Sequence, residues 1–215
     1  MGRVMEPEFW HERWAANRIA FHQGEANRML VAHFDSLNLQ AGDRVFVPLC
    51  GKTLDIAWLL EKGMRVAGAE LSELAVQQLF DEMGVVPAVS DHGPLKHYQA
   101  EGADIFVGDV FDLTAEALGR VDALYDRAAL VALPPDMRPG YARHMGQVSS
   151  RAQQLLITFE YDQSVMDGPP FAVTAAEVGT YYRDQYAVAL LEAKEVEGGL
   201  KGIAEATAKV WHLTP

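Results

Sequence analysis

The chain has 215 residues, of which 49% are hydrophobic, and a formal net charge of −12 at pH 7. This length and composition predict a single domain with a sizeable core, and the negative charge argues against a nucleic acid partner. The only cysteine, Cys50, excludes an internal disulfide and indicates a reducing compartment. The sequence has no apolar run long enough for a membrane span and no signal-peptide core, so we expect a cytoplasmic protein with no membrane partner.

Short β-branched runs alternate with longer amphipathic stretches along the chain. Two amphipathic segments come first, "PEFWHERWAAN" and "GEANRMLVAHFDSLN", and predict N-terminal helices. Buried strands are then predicted at residues 44–48, 65–70, 103–109, 121–126 and 153–161. Helices are predicted between them at residues 53–63, 72–84 and 134–152, with Ser72 as an N-cap and Gly63 and Gly84 as C-terminal stops.

This β-α-β-α-β order requires a parallel sheet covered by helices on both faces. The last two alternating segments, residues 186–196 and 202–213, are separated only by "EGGLK" and predict an antiparallel hairpin. A mostly parallel seven-stranded sheet that ends in such a hairpin is the layout of the class I S-adenosyl-L-methionine-dependent methyltransferase fold, an α/β fold. We predict one domain over residues 1–215, with a helical lid segment at about residues 6–40 and a Rossmann-like core at residues 41–215.

The turn after the first strand, "PLCGKT", ends like a phosphate-binding loop but has the wrong spacing. That loop needs a glycine five residues before Gly51, where the chain has Phe46, and a dinucleotide fingerprint needs two further glycines that are absent. Glu70 nevertheless ends the second strand, nineteen residues after Gly51, where a carboxylate can accept hydrogen bonds from ribose hydroxyls. The pattern therefore favours a nucleoside without phosphates, such as S-adenosyl-L-methionine. The alternative is that Glu70 is a solvated strand end and Gly51 an ordinary turn glycine, with no ligand at either.

Several longer sequence motifs make the interpretation more specific. They are "FWHERW", "AFHQGEAN", "RVFVPLCGKTLDIAWL", "GAELSELAV", "GDVFDL", "YDRAALVALPPDMRPGYA" and "GPPFAV". In this order and spacing they resemble the thiopurine S-methyltransferase family, in particular its bacterial members, from about Glu6 to the C-terminus, so residues 1–4 are expected to be an extension. The resemblance implies transfer of a methyl group from S-adenosyl-L-methionine to a thiol, either a thiopurine or an aryl thiol, or to selenium or tellurium compounds.

The resemblance also implies a set of cofactor contacts. The main ones are Trp14, Leu49, Glu70 and Arg127, with Trp10 and Phe21 nearby and Asp109 and Val110 at the adenine. Mammalian members carry a longer late segment with an arginine near the substrate, where this chain has only "EVEGGLKGIAEA", so thiopurine drugs are expected to be poor substrates. The implied partner is a small-molecule thiol or a selenium or tellurium compound, and we expect a monomer.

Two of these groups have competing interpretations from the residues themselves. Trp10 and Trp14 share one face of a helix, where they either dock the helix on the sheet or cover a sulfonium cation with an aromatic face. Arg127 follows the fourth strand, where it either pairs with Asp126 or enters the ligand crevice as the candidate catalytic residue and binds a carboxylate or an anionic sulfur.

Other chemistries find less support in the sequence. Cys50 lacks the histidine and asparagine partners of a cysteine nucleophile, and the seven histidines show no metal-ligand spacing, so no metal is expected. An NAD-dependent oxidoreductase shares the Glu70 pattern but needs a second glycine near Gly51. A non-catalytic nucleoside-binding regulatory protein is compatible with every one of the binding residues.

Overall fold

The structure is a computed structural model that describes residues 7–19 and 23–215. The helices are α1 Pro7–Ala15, α2 Arg28–His33, α3 Leu54–Glu61, α4 Glu73–Met83, α5 Ala115–Leu118, α6 Arg138–Val148 and α7 Ala175–Tyr182. The strands are β1 Arg44–Pro48, β2 Arg65–Glu70, β3 Ala88–His92, β4 Leu95–Ala100, β5 Ala103–Val107, β6 Ala123–Asp126, β7 Gln153–Tyr161, β8 Ala187–Glu195 and β9 Ala206–Thr214. Short 3-10 turns lie at Phe34–Leu37, Val110–Asp112, Leu130–Ala132 and Gln163–Val165.

The strands of the described residues form one sheet in the order β3-β4-β5-β2-β1-β6-β7-β9-β8. The five central strands, in the order β5-β2-β1-β6-β7, pair in parallel. An antiparallel hairpin extends each side, β3 with β4 next to β5 and β9 with β8 next to β7. A bulge between Leu190 and Glu192 interrupts the pairing of β8 with β9. The predicted α/β architecture and its terminal hairpin are therefore confirmed.

The predicted count of seven strands is wrong, because the described residues contain nine. The missed pair is the β3–β4 hairpin, in which every residue of β3 is exposed and no apolar alternation marks the strand. Four predicted strands are also shorter in the structure, among them the fourth, which spans only Ala123–Asp126, and the first strand of the terminal hairpin, which spans Ala187–Glu195. The third stops at Val107 because Gly108 takes a φ of +142°, and the last begins at Ala206 after the loop that contains Gly199 and Gly202.

The predicted helix ends follow from local capping. Ser72 Oγ accepts a hydrogen bond from the Ala75 N–H at the start of α4, and Gly84 ends that helix at a φ of +67°. Thr53 caps α3, and Gly63 follows its end at a φ of +82°. The helix predicted at 134–152 is shorter, Arg138–Val148. Along residues 7–19 and 23–215, none of the helices is both long and apolar enough to cross a membrane.

The core lies on both faces of the sheet, as expected for buried parallel strands. On one face Phe46 of β1 packs with Tyr141 of α6 and Tyr182 of α7. On the other face Val45 packs with residues of α2, α3 and α4, among them Leu59. This double cover leaves the carboxyl ends of the central strands as the place where a ligand can reach the sheet.

Candidate active site

A cavity of about 690 Å³ opens at the carboxyl ends of the central strands, a volume in the range of small-molecule sites. Seven of the eight residues implied by the resemblance line it: Trp10, Trp14, Leu49, Glu70, Asp109, Val110 and Arg127. The eighth, Phe21, lies outside the described residues. The structure thus brings together side chains that are up to 117 residues apart in the sequence, from Trp10 to Arg127.

The sheet order divides the lining into two sides. The β2 side follows β1, β2 and β5 and consists of Leu49, Gly51, Glu70, Asp109 and Val110. The β7 side consists of Arg127 after β6, Phe159 in β7, Pro169 and Pro170 after β7, and Lys201 in the β8–β9 loop. Helix α1 contributes Trp10, Arg13 and Trp14 over the cavity.

The Glu70 carboxylate is buried and held by two backbone N–H groups. Oε2 accepts from the Gly51 N–H at 2.8 Å, and Oε1 accepts from the Ser72 N–H at 2.8 Å. Burial raises the pKa of Glu70, and these N–H groups oppose that effect. Because each carboxylate oxygen has two acceptor positions, the group can still bind two further donors from the cavity. The sequence predicted its place but not these two hydrogen bonds.

Trp14 packs its indole directly on the turn after β1. Gly51 has a φ of +53°, and a Cβ at this position would lie 2.9 Å from Trp14 Cζ2. Trp14 is only 4% exposed, and Leu49, two residues before Gly51, also takes a positive φ of +49°. The single glycine of the "CGK" turn therefore allows α1 to approach the end of the sheet.

Asp109 and Val110 stand side by side at the end of β5. Asp109 caps the turn Val110–Asp112, and its Oδ1 accepts from the Phe111 N–H at 3.0 Å. Val110 is the first residue of the turn, a position whose N–H has no partner within the helix. A ring nitrogen of His144 hydrogen-bonds the Val110 carbonyl at 2.8 Å and fixes the turn from behind. The pair offers an acceptor and a donor next to each other, which suits the edge of an adenine.

Arg127 and Asp126 point to different places. Asp126 is fully buried, where Oδ1 accepts from the Leu130 N–H at 3.0 Å and Oδ2 accepts from the Tyr141 hydroxyl at 2.8 Å. Burial raises the pKa of Asp126 to about 6. Arg127 lines the cavity instead, and Ala128 follows it with a φ of +61°. Asp126 thus anchors in the core the turn that presents Arg127.

The cavity also contains a buried Tyr125–Asp55 pair that the sequence did not predict. The Tyr125 hydroxyl donates to Asp55 Oδ2 at 3.0 Å, and Asp55 Oδ1 accepts from the Asn27 N–H at 2.6 Å. Burial and the nearby Asp55 carboxylate raise the pKa of Tyr125, while the Arg127 charge opposes this. An acidic residue in the first turn of a helix is common, so nothing in the sequence distinguished Asp55 from an ordinary helix-start residue.

The charges of the lining differ from those of the whole chain. The described lining has four cations, Arg13, Lys52, Arg127 and Lys201, against three carboxylates, Asp55, Glu70 and Asp109, although the chain carries a net charge of −12. No described lining residue is a histidine. Within the described part of the chain, no group of three or more His, Cys, Asp and Glu side chains is placed to hold a metal ion.

Comparison with solved structures identifies the fold. A Burkholderia thailandensis 1,6-didemethyltoxoflavin-N1-methyltransferase, solved with 1,6-didemethyltoxoflavin and S-adenosylhomocysteine, matches with a TM-score of 0.67 at 18% identity and covers 99% of this chain and 88% of its own. An S-adenosyl-L-methionine-dependent methyltransferase from Anabaena variabilis matches with a TM-score of 0.64 at 14% identity, over 97% of this chain and 94% of its own. At these identities the likeness shows the methyltransferase fold alone.

Sequence comparison is more specific. A family model described as thiopurine S-methyltransferase (TPMT) matches residues 5–214. The thiopurine S-methyltransferase of Xanthobacter autotrophicus is 56% identical over 210 residues, which are 97% of this chain and 99% of the relative. That of Teredinibacter turnerae is 50% identical over 210 residues, 98% of each chain. The chain therefore belongs to the thiopurine S-methyltransferase family, whose members are enzymes that use S-adenosyl-L-methionine as the methyl donor.

Proposed function

We propose that the enzyme methylates a soft nucleophile, namely a thiopurine or aryl thiol or a selenium or tellurium compound. The observation that carries this proposal is the make-up of the β7 side, where apolar residues line the cavity together with Arg127 and Lys201, and none of the described lining residues is a histidine that could act as a base. An acceptor in such a site must already be acidic enough to lose its proton to water. Because the chain belongs to a methyltransferase family, we drop the oxidoreductase and the non-catalytic binding protein as alternatives.

The β2 side fits the nucleoside part of the cofactor. Glu70 is a fixed buried acceptor suited to the ribose hydroxyls, and the neighbouring Asp109 carboxylate and Val110 N–H suit an adenine edge. Leu49 adds an apolar wall. The β1–α3 turn holds no run of glycine N–H groups for a pyrophosphate, which agrees with a cofactor that has no phosphates.

The β7 side fits the acceptor. Phe159, Pro169 and Pro170 form apolar walls, and Arg127 brings a permanent positive charge to them. A thiolate is a large, weakly hydrated anion, so apolar walls exclude water without loss of much hydration energy, while a guanidinium steadies its charge. We assign Arg127 to the carboxylate of the cofactor, the thiolate of the acceptor, or both.

The chemistry needs little more than correct placement. When bound, S-adenosyl-L-methionine supplies an activated methyl group on a sulfonium. Transfer of this group to a thiolate turns the donor into S-adenosylhomocysteine, a neutral thioether, and the acceptor into a neutral methyl thioether. A thiol near pKa 8.5 or below is already partly ionised at neutral pH, so the protein need not supply a strong base. The contribution of the chain is to align the acceptor sulfur in a dry cavity, a term that can reach about 7–11 kcal/mol.

We further propose that α1 is the movable cover of this cavity. Trp10, Arg13 and Trp14 all face the cavity, and Trp14 closes over Gly51. An aromatic face next to a sulfonium contributes about 0.5–2 kcal/mol. If α1 moves, its amide hydrogens exchange faster in the free protein than in the complex with S-adenosylhomocysteine, as measured by hydrogen–deuterium exchange. Equal protection in the two states would mean that α1 is a permanently packed helix.

The acceptor class is tested by a methyl-transfer screen with labelled S-adenosyl-L-methionine. The acceptors are thiophenol, phenol, an alkyl thiol, selenite and tellurite, at one pH and one protein concentration. We expect methylation of thiophenol and none of phenol. The pKa of a phenol is higher than that of a thiol by about 1.5 units or more, and none of the described lining residues is a histidine that could take its proton. Methylation of phenol together with none of the sulfur, selenium or tellurium compounds would refute the proposal.

A further inference from the structure

Cations gather at the mouth of the cavity between α1 and the β8–β9 loop. Arg13 lies in α1, Arg18 follows that helix, and Lys201 lies in the loop. Arg13 and Lys201 both line the cavity. The pKa of Lys201 is lowered, first by burial and then by the nearby charge of Arg13. The pKa of Arg13 is likewise lowered, first by burial and then by the charge of Arg18. Like charges repel, so their proximity costs stability unless a ligand uses them.

The loop holds Lys201 in a defined place. Leu200 and Ala204 exchange two backbone hydrogen bonds across the loop, at 2.8 and 3.2 Å. Gly199 lies so close to Ala204 that a Cβ would meet its carbonyl oxygen at 2.6 Å. Lys201 itself takes a φ of +53°, unusual for a lysine, and its ammonium donates to the Pro169 carbonyl at 2.7 Å. The ammonium is thereby held beside the apolar wall formed by Pro169 and Pro170.

Arg13 keeps an unused donor at the same place. Its guanidinium lies 4.5 Å from the centre of the Phe9 ring. Its Nε is buried and has no hydrogen-bond partner in the described structure. A buried donor without a partner costs about 1–3 kcal/mol, which a bound acceptor group would recover.

No described carboxylate neutralises this group of cations. Among residues 7–19 and 23–215, neither Arg13 nor Arg18 nor Lys201 forms an ion pair. The carboxylates that line the cavity have other hydrogen-bond donors: Asp55 binds Asn27 and Tyr125, Glu70 binds Gly51 and Ser72, and Asp109 binds Phe111. In a chain with a net charge of −12, cations at a cavity mouth that form no ion pair within the described residues indicate an anionic ligand.

We propose that Arg13 and Lys201 form a subsite for a carboxylate on the methyl acceptor, so that aryl thiols with a carboxylate are preferred over neutral aryl thiols. This inference rests on the proposed function, because it refines the acceptor of the same cavity. The carboxylate lies at the mouth between the two cations, and the aromatic ring extends inward along Phe159 and the two prolines toward Arg127. The polar end of the acceptor thus stays near solvent, where a charged group loses less hydration than it would inside.

The test compares 4-mercaptobenzoate with 4-methylthiophenol, two thiols of similar size that differ in the charge of the ring substituent. The measured quantity is the ratio of their kcat/KM values. We expect Lys201→Met to lower this ratio about tenfold, as for the loss of one partly exposed charged partner. Arg13→Met lowers it in the same direction, and Lys201→Arg keeps most of it because the charge remains.

Lys194→Met is the matched control. Lys194 lies on β8 of the same hairpin, is exposed and does not line the cavity, yet its removal changes the net charge by the same amount. We expect the ratio of this variant to equal that of the wild type. An equal fall in Lys194→Met and Lys201→Met would mean a general charge effect on the approach of anions, and would overturn the subsite.

Calorimetry separates the subsite from the reaction. Binding of 4-(methylthio)benzoate to the protein with S-adenosylhomocysteine is expected to weaken about tenfold in Lys201→Met, while the affinity for S-adenosylhomocysteine alone stays the same. If the two cations instead hold the carboxylate of the cofactor, the second affinity falls and the proposal is overturned. A wild type that methylates neither thiol contradicts the proposed function, whereas the product titration still decides the subsite.

Discussion

The β2 side of the cavity is built from the sheet and its turns, whereas the β7 side is built from loops and long side chains. Glu70 is buried and fixed by two backbone N–H groups, and Asp109 and Val110 are fixed by a capped turn. Lys201 and Pro169, by contrast, lie in loops that belong to no helix or strand. Rigid scaffolds suit the ligand that all members of a family share, and loops suit the ligand that varies. With the donor on the β2 side and the acceptor on the β7 side, as proposed above, this difference would let one fold keep its methyl donor while its acceptor changes.

The largest expected effect is on the β2 side. Glu70→Ala removes one or two charge-assisted hydrogen bonds worth about 1.5–3 kcal/mol each, which corresponds to a loss of at least about tenfold, and up to about ten thousandfold, in affinity for S-adenosylhomocysteine. Glu61→Ala serves as the control, since Glu61 is exposed and lies outside the cavity lining. Calorimetry gives both affinities, and urea unfolding checks that each variant is folded. If Glu70→Ala binds as tightly as Glu61→Ala, the β2 side does not hold the ribose.

The next effect concerns Asp126, which anchors the turn that presents Arg127. The pKa of Asp126 is raised from 3.8 to about 6 in the folded protein, so the protonated form is favoured there. The raised pKa of Asp126 therefore stabilises the folded protein fully below about pH 4, and this contribution, in total about 3 kcal/mol, is lost as the pH rises through about 6. In Asp126→Asn this part of the pH dependence should disappear. Urea unfolding of both proteins between pH 4 and 7 measures it, and parallel curves would contradict the assigned pKa.

A smaller effect is expected at Arg127, which stands between the two sides. Arg127→Ala should weaken methylation of thiophenol about ten- to a hundredfold in kcat/KM, because one charge-assisted partner is lost. If Arg127 binds the cofactor carboxylate, saturating S-adenosyl-L-methionine restores most of the turnover, and if it steadies the thiolate, kcat stays low. Arg127→Lys recovers only part of the rate because the planar fork is lost. Wild-type kinetics in Arg127→Ala would contradict both roles.

The smallest effect concerns the contact of α1 with the β2 side. Gly51→Ala adds a Cβ 2.9 Å from Trp14 at a positive φ, whereas Gly84→Ala adds one at a positive φ into open space. Both variants carry backbone strain of about 1 kcal/mol, so the extra loss in Gly51→Ala reports the Trp14 contact, about 1 kcal/mol more. Urea unfolding midpoints give the difference. Equal losses would show that Trp14 moves aside without cost.

Local signals explain what the sequence predicted well. The central strands are apolar runs between glycines and helix caps, so β1, β2 and β7 were predicted with their ends. Ser72 and Gly84 mark the two ends of α4, because an N-cap hydrogen bond and a C-cap glycine with a positive φ involve only residues close in the sequence. The position of Glu70 at a strand end also follows from the pattern alone.

Long-range and exposed features could not be predicted in this way. The fully exposed β3 has no apolar alternation, so its pairing with β4 left no periodic signal. Asp55 meets Tyr125 across 70 positions, and Lys201 comes near Arg13 only because the β8–β9 loop returns to the cavity. Such pairs depend on the tertiary fold, and a single sequence contains no record of them. The role implied for Phe21 stays a prediction.

The bulge in β8 has a consequence for how the molecules behave at high concentration. β3 and β8 are the outermost strands of the sheet, and strands at that position invite pairing with other molecules and fibril growth. β8 bends at Leu190 and Glu192 and exposes Lys194 and Glu195, so a second copy finds neither a flat strand nor a neutral one to extend. At the opposite border β3 is short and exposes Asp91. The sheet thus ends on both sides in strands that a second copy cannot easily extend, a form that resists aggregation.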